Sequence, residues 1–280
     1  MATPKWKQYE INSCNFLNST YSKLGFKFSN TGFSNSKESD VSIIKNNIKI
    51  GSIEAKLSPS QAGQFVICEF GQGFEFSTKN FYPTNEYTRK IIEFINNNYY
   101  KYKDLSTKGI SLDCEDDLLY NWVINHYKNN KKSDFIISSN NVNGYNIIIP
   151  VEDIPQYFNI SATVRNKKSG SRHLPKKLYD TCRDVLSENM DKKGYSVSNI
   201  YPDNKKYILK LNKWSNLSND DLKFYLDENE LFLSDIGYNE FAIKVCSNTN
   251  NPNIVFSLKL KNKINCNLGI VEFENYLLKF

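Results

Sequence analysis

At 280 residues the chain is long enough for two or three small domains, and 18 Tyr, 18 Phe and 3 Trp supply the bulk for real cores. The formal net charge is +6, from 36 basic and 30 acidic residues; so modest an excess does not define a nucleic-acid binder, and clustering must decide. No long apolar run and no secretory leader pattern is present, so a cytoplasmic protein without membrane attachment is expected. An excess of Asn, Lys and Ile points to an AT-rich bacterial genome.

Cys14, Cys68, Cys114, Cys182, Cys246 and Cys266 form no C-x-x-C pair and are expected to be reduced, buried thiols. The only histidines, His126 and His173, lie near no cysteine pair, which argues against a zinc site.

Residues 5–24 place Trp6, Tyr9, Phe16, Leu17 and Tyr21 on one side of a helical projection, and Gly25 suits its end. Glu10 lies on this helix and, taken alone, reads as a solvated glutamate. Phe26–Phe28 begins a strand, and a polar stretch leads to Asp40. Val41–Ile44 and Ile48–Ile53 are short apolar runs about Lys45-Asn46-Asn47, which predicts a β-hairpin. Glu54 and Lys56 are two apart and share one face of the second strand, while Ala55 takes the other. Folding at the turn brings Asp40 beside Glu54.

Two carboxylates and one amine at one spot suit phosphodiester hydrolysis. Asp40 and Glu54 would hold a hard cation such as Mg²⁺. Such a cation lowers the pKa of a water and neutralises charge building on phosphorus. Lys56 would orient the attacking water and stabilise the same charge. An acid-X-Lys pattern is also common on solvated hairpins, so the rest of the chain has to weigh in.

Ser60, Gln61 and Gln64 follow in a predicted turn and are candidate contacts to a phosphate or a base edge; capping the turn is the plainer role. Gly71–Ser77 predicts a loop or irregular hairpin, without the strand-to-helix setting of a nucleotide-binding glycine loop. Pro83–Lys103 predicts a helix with Tyr87, Ile91, Phe94, Ile95 and Tyr99 as its core stripe. Asp116–Tyr127 predicts another, with Leu119, Trp122 and Val123 inward and His126 packing or capping at its end. Strands are predicted over 135–137, 145–149 and 158–164.

Between Arg165 and Lys177 stand six Lys or Arg and no acid, read as a loop leaving a strand. Arg165, Lys167, Lys168, Ser169, Ser171, Arg172 and His173 are candidate DNA contacts. Arg and Lys match guanine O6 and N7, and Ser and backbone N–H groups bind phosphate. A solvated basic loop is the alternative. Residues 178–280 predict a further α+β unit, with a helix over 178–189. Strands are expected over 195–197, 207–211, 230–233, 241–245 and 254–260, and a polar turn over 248–253.

Four ordered blocks carry a resemblance. They are Ile53-Glu54-Ala55-Lys56 with Ser60–Val66, then Leu105–Gly109, then Phe158-Asn159 through Arg165 to Leu174, and finally Ser247–Thr249 with Val255–Ser257. Together they resemble the GCGC-cutting type II restriction endonucleases of the PD-(D/E)XK superfamily. Ser39 stands at the superfamily's proline position, Ala62 where the relatives carry cysteine, and the segment from Asp40 to Glu54 is slightly longer.

The resemblance implies a Mg²⁺-dependent enzyme acting on double-stranded DNA within GCGC, leaving 5′-phosphates and a two-base 3′ overhang. It implies a monomer that nicks the strands in turn and is paired with a cognate DNA methyltransferase. Asp40, Glu54 and Lys56 inherit the metal and water-activating roles, and Glu10 matches an acid on the first helix. The expected fold is mixed α+β, a restriction-endonuclease core of mixed sheet flanked by helices with further β-rich domains. The expected division is a catalytic domain over 1–104, a sequence-reading domain over 105–190 and a general DNA-binding domain over 191–280. A structure-specific repair or junction nuclease, or an inactive DNA-binding relative, are the rival functions.

Overall fold

The computed structural model describes residues 4–31, 38–141, 147–168, 171–204, 206–213, 217, 221–246, 250–262 and 266–280. Among the described residues no helix is long and apolar enough to cross a membrane. The chain divides into two compact bodies, Ala2–Asn166 with Pro252–Phe280, and Lys167–Asn251.

In chain order, the first body holds α1 (Lys5–Tyr21), β1 (Phe26–Asn30), β2 (Val41–Lys45), β3 (Ile48–Leu57), β4 (Ser60–Phe70) and β5 (Gly73–Phe76). It continues with α2 (Glu86–Asn97), α3 (Tyr99–Tyr102), β6 (Ile110–Ser111) and α4 (Asp116–Asn125), which runs into a π-helical turn, His126–Lys131. Then come β7 (Phe135–Ser139), β8 (Ile147–Pro150), α5 (Ile154–Tyr157) and β9 (Phe158–Lys168). The second body carries β10 (Arg172–His173), α6 (Tyr179–Lys192), β11 (Val197–Asp203), β12 (Lys206–Leu211), β13 (Lys223–Leu226), β14 (Asn229–Gly237) and β15 (Glu240–Val245). Finally β16 (Asn250–Leu260) and α7 (Cys266–Leu277) return to the first body.

The first sheet has the order β1-β2-β3-β7-β8, with β3 and β7 parallel and the other pairs antiparallel. Its β2–β3 hairpin turns through Asn46 and Asn47, both left-handed (φ 52° and 64°), the backbone that asparagine tolerates best in a two-residue hairpin loop. Val41, Ile43, Ile53 and Ala55 are buried in one cluster with Tyr9, Leu17 and Tyr21 of α1 and with Phe273 and Leu277 of α7. Each fully buried aliphatic or aromatic side chain contributes about 1.5–3 kcal/mol, more than the roughly 0.5–1.5 kcal/mol net of one ladder hydrogen bond. Face burial therefore sets the register, since a slip of one residue would turn Glu54 and Lys56 into the core.

A second sheet, β5-β4-β16-β9-β6, lies in the same body. Its core includes Phe65, Ile91, Ile95, Val123 and Leu258. Trp122 stacks on Phe256 with ring centroids 3.9 Å apart. The second body is built on a sheet of order β11-β12-β15-β14-β13, with β10 against β15 and α6 contributing Cys182, Leu186 and Met190 to its core.

The mixed α+β fold matches expectation, and several elements differ in detail. Ser60–Gln64 is not a turn but the start of β4, because these residues pair with β16 through Ser60↔Leu258 and Gln64↔Val255. Helix α2 starts later than Pro83, where Asn85 accepts the Thr88 N–H at 2.8 Å and caps it. Arg165 stands on a strand rather than in a loop, since β9 runs on to Lys168. β16 begins at Asn250, inside the expected polar turn, and β13 and α7 were not foreseen. Tyr145 of the expected 145–149 strand lies outside the described residues. The boundaries expected at 104 and 190 do not separate the bodies: 190 falls inside α6, and β16 and α7 belong with the first sheets. Of the thiols described, Cys14 and Cys182 are buried, but Cys68 is exposed.

Candidate active site

Asp40 stands at the head of β2 and Glu54 and Lys56 near the end of β3, so the hairpin register alone brings the trio together. Lys56 Nζ lies 3.1 Å from Asp40 Oδ2 and 2.8 Å from Glu54 Oε2. Asp40 Oδ2 also accepts the backbone N–H of Ala55 at 2.9 Å. Glu54 is fully buried, and its Oε2 touches the ammonium, with no donor among the described residues aligned on it as a hydrogen bond.

Three residues that the sequence reading did not single out complete the surroundings. Ser133 Oγ donates to Glu54 Oε1 at 3.3 Å and lies 2.8 Å from Ser39 Oγ, which itself donates to the Lys131 carbonyl at 2.9 Å. A proline at position 39 would lack this hydroxyl. Lys131 Nζ donates to the Glu38 carbonyl at 3.0 Å and sits 3.9 Å from Glu54 Oε1. Tyr127, on the same π-helical turn, is buried beside Lys56, whose Nζ is 6.0 Å from its ring centroid. No sequence pattern marks such a turn, so Tyr127 read as the end of an ordinary helix.

Burial pushes the Asp40 carboxyl up; the Lys56 charge pulls against this, the Glu54 charge adds to it, and the net direction is upward. Burial acts the same way on Glu54, but Lys56 and Lys131 together overcome it and hold Glu54 ionised. Burial opposes the Lys56 charge as well, and the two carboxylates outweigh it, fixing an ammonium. Glu10 on α1 is pushed up to about 7, first by burial and then by the charge of Asp40. It belongs to the site through its field. Among the described residues no set of three or more acid, thiol or imidazole groups encloses a cation. Asp40 and Glu54 are the pair able to hold one, with further oxygens coming from substrate or water.

A cleft of about 390 Å³ opens beside the trio and is lined by Glu54, Lys56, Gln61, Gln64, Tyr127 and Lys131, among others. Its wall is tight: a Cβ on Gly63 (φ 134°) would meet Trp122 at 2.9 Å and His126 at 3.0 Å. His126 stacks on Trp122 and contacts Asn130 at 3.3 Å. Burial and the nearby Lys131 and Lys56 lower its pKa to about 3, so it packs in the neutral form as expected.

The other candidate contacts fall in both bodies. Ser60, Gln61 and Gln64 lie on β4, and only the two glutamines line the cleft. Arg165, in the first body, has a buried Nε without a partner among the described residues. Lys167, Lys168, Ser171, Arg172 and His173 belong to the second body, where Arg172 and His173 are exposed on β10. Ser169 lies outside the described residues.

A mixed sheet flanked by helices, with two carboxylates and a lysine gathered at the ends of adjacent strands, defines a restriction-endonuclease fold. The solved structure of the HhaI endonuclease in complex with DNA is similar at 33% identity, over 98% of this chain and 99% of that one, with a TM-score of 0.78. The chain belongs to the HhaI endonuclease family. Comparison with protein-family models and with curated proteins gives no match.

Proposed function

We propose that the chain is a Mg²⁺-dependent type II restriction endonuclease that hydrolyses double-stranded DNA at GCGC, leaving a two-base 3′ overhang and 5′-phosphate ends. The observation that carries this reading is the buried cluster in which Lys56 joins Asp40 and Glu54. Similarity to an endonuclease solved with DNA supports the substrate class.

The donor set fits the cation. Asp40 and Glu54 offer hard oxygens, Glu54 Oε2 lacks an aligned donor among the described residues, and burial first, with neighbouring carboxylates second, raises Asp40 and Glu10, which positive charge would relieve. When bound there, Mg²⁺ supplies charge neutralisation at the phosphate and a more acidic water. Lys56 holds the attacking water in line with the scissile bond and offsets charge on the non-bridging oxygens. Glu54 keeps that ammonium in place, and Ser133 and Lys131 fix Glu54. His126 is buried and held neutral, stacked on Trp122, and is given no role in the reaction.

Arg165, Lys167, Lys168, Ser171, Arg172 and His173, with Ser60, Gln61 and Gln64, are the proposed DNA contacts. The enzyme acts as a monomer, one strand at a time, in a bacterial cytoplasm where a cognate methyltransferase protects the host sites. Digestion of unmethylated plasmid DNA with Mg²⁺, followed by sequencing of the ends, tests the reading. Ends confined to GCGC with a two-base 3′ overhang are expected. Cuts at another fixed sequence would overturn the specificity alone, and cutting restricted to branched DNA would replace the class.

A further inference from the structure

Buried hydroxyls are almost always paired, so one that is not asks for an explanation. The Tyr127 hydroxyl is fully buried without a hydrogen-bond partner among the described residues. It sits on the π-helical turn His126–Lys131, a helical irregularity that recurs at functional sites. Tyr127 lines the cleft with Glu54 and Lys56, and its hydroxyl and the Lys56 ammonium act on each other electrostatically.

In this structure the Lys56 ammonium donates to Asp40 Oδ2 and lies against Glu54 Oε2. A divalent cation held by the same two carboxylates competes for those oxygens. A buried ammonium stripped of its acceptors is strongly disfavoured. Among the described residues the Tyr127 oxygen is an unused acceptor on the same cleft, its ring centroid 6.0 Å from Lys56 Nζ.

We propose that Tyr127 is a positioning residue: its hydroxyl receives the Lys56 ammonium when Asp40 and Glu54 turn to a divalent cation, keeping Lys56 charged and aimed into the cleft. This rests on the reading of Asp40, Glu54 and Lys56 as the catalytic trio. The Tyr127 hydroxyl has no partner among the described residues while the Lys56 ammonium lies against Asp40 and Glu54.

The test is Tyr127→Phe in the wild-type and Lys56→Met backgrounds. The readouts are thermal unfolding in EDTA, the rise in Tm as Mg²⁺ is titrated into DNA-free protein, and single-turnover cleavage. In the wild-type background, Tyr127→Phe leaves Tm in EDTA unchanged or higher, since an unpaired buried hydroxyl is lost. It raises the Mg²⁺ concentration at half-effect about tenfold and slows cleavage about tenfold. In the Lys56→Met background, with no ammonium to relocate, the same substitution moves the Mg²⁺ midpoint less than about twofold.

A lower Tm in EDTA overturns the proposal, since the hydroxyl would then have a structural partner. So does an unchanged Mg²⁺ midpoint, or an equal shift in both backgrounds. A wild-type protein that neither takes up Mg²⁺ nor cuts DNA overturns the trio reading and this proposal with it. Wild-type cutting with an indifferent Tyr127→Phe variant overturns this proposal alone.

Discussion

Asp40 Oδ2 accepts the backbone N–H of Ala55 at 2.9 Å, tying the head of β2 to the alternate face of β3. One carboxylate oxygen thus serves the hairpin register and, through Lys56, the reactive cluster. Asp40→Ala therefore has two separable effects. Cleavage is lost, and the Ala55 N–H is left without its acceptor at a cost of about 1–3 kcal/mol. Urea unfolding in EDTA reads the second effect; stability equal to wild type would show that the bond does not hold the hairpin.

Among the described residues Lys56 is the ammonium in contact with both carboxylates, and Lys56→Met leaves the two buried acids with only Lys131, Ser133 and the Ala55 N–H to support them. Breaking a buried ion pair from one side costs about 3–5 kcal/mol. The variant is expected to bind DNA without cutting it and to unfold earlier in EDTA. Mg²⁺ should raise its Tm by more than it raises that of wild type, because the cation replaces the missing charge. An equal Mg²⁺ shift in both proteins would place the cation elsewhere.

Glu10 gives the site a pH dependence. Its folded pKa of about 7 lies above the ordinary carboxyl value of 4.5, so the folded state holds this proton more tightly than the unfolded chain does. Its stabilising contribution is complete below pH 4.5 and is lost as pH rises through 7. His126 acts in the opposite sense, because its lowered pKa destabilises the fold as pH falls below 6.5. The difference between wild type and Glu10→Gln isolates the carboxyl: wild type should lose stability relative to the variant between pH 5 and pH 8. Mg²⁺ affinity should rise over the same interval in wild type and rise less in Glu10→Gln. Parallel stability curves would remove Glu10 from the site.

Arg165 is held from outside its own strand. The 105–109 segment runs beside it, with the Asn166 N–H donating to the Ser106 carbonyl at 3.0 Å and Asn166 Nδ2 to Leu105 at 2.8 Å. A Cβ on Gly109 (φ 82°) would lie 2.5 Å from Thr163 Cγ2 and 2.7 Å from Arg165 Cβ. Gly109→Ala is thus expected to displace Arg165 and to imitate Arg165→Ala. Both should weaken binding to the target site by about 1–3 kcal/mol, with a smaller loss on random DNA. Equal losses on both DNAs would assign Arg165 to phosphate contact.

The hairpin that gathers Asp40, Glu54 and Lys56 was legible because its signals are local. The period of two separates Glu54 and Lys56 from Ala55, and Asn46-Asn47 supplies the turn. What escaped was set by distant partners. Ser60–Gln64, close behind Pro59 and containing Gly63, reads as a turn until β16 pairs with it, and the strand that does so arrives nearly 200 residues later. Two of the blocks that carried the resemblance, 60–66 and 255–257, proved to lie on neighbouring strands, and the 105–109 segment is hydrogen-bonded to Asn166, next to Arg165. Lys131 and Ser133 left no mark because nothing in their spacing announces a π-helical turn that folds back on Glu54.

The return of β16 and α7 has a consequence for how the protein is made. Phe273 and Leu277 of α7 share a core with Ile53 and Ala55, the residues flanking Glu54, and β16 completes the sheet that carries the cleft glutamines. A nascent chain that has emerged only as far as Asn251 already contains Asp40, Glu54 and Lys56, yet lacks the packing that fixes their strands. Asp40, Glu54 and Lys56 are therefore expected to reach this arrangement only once α7 has been made, and a chain ended at Asn251 is expected not to cut DNA.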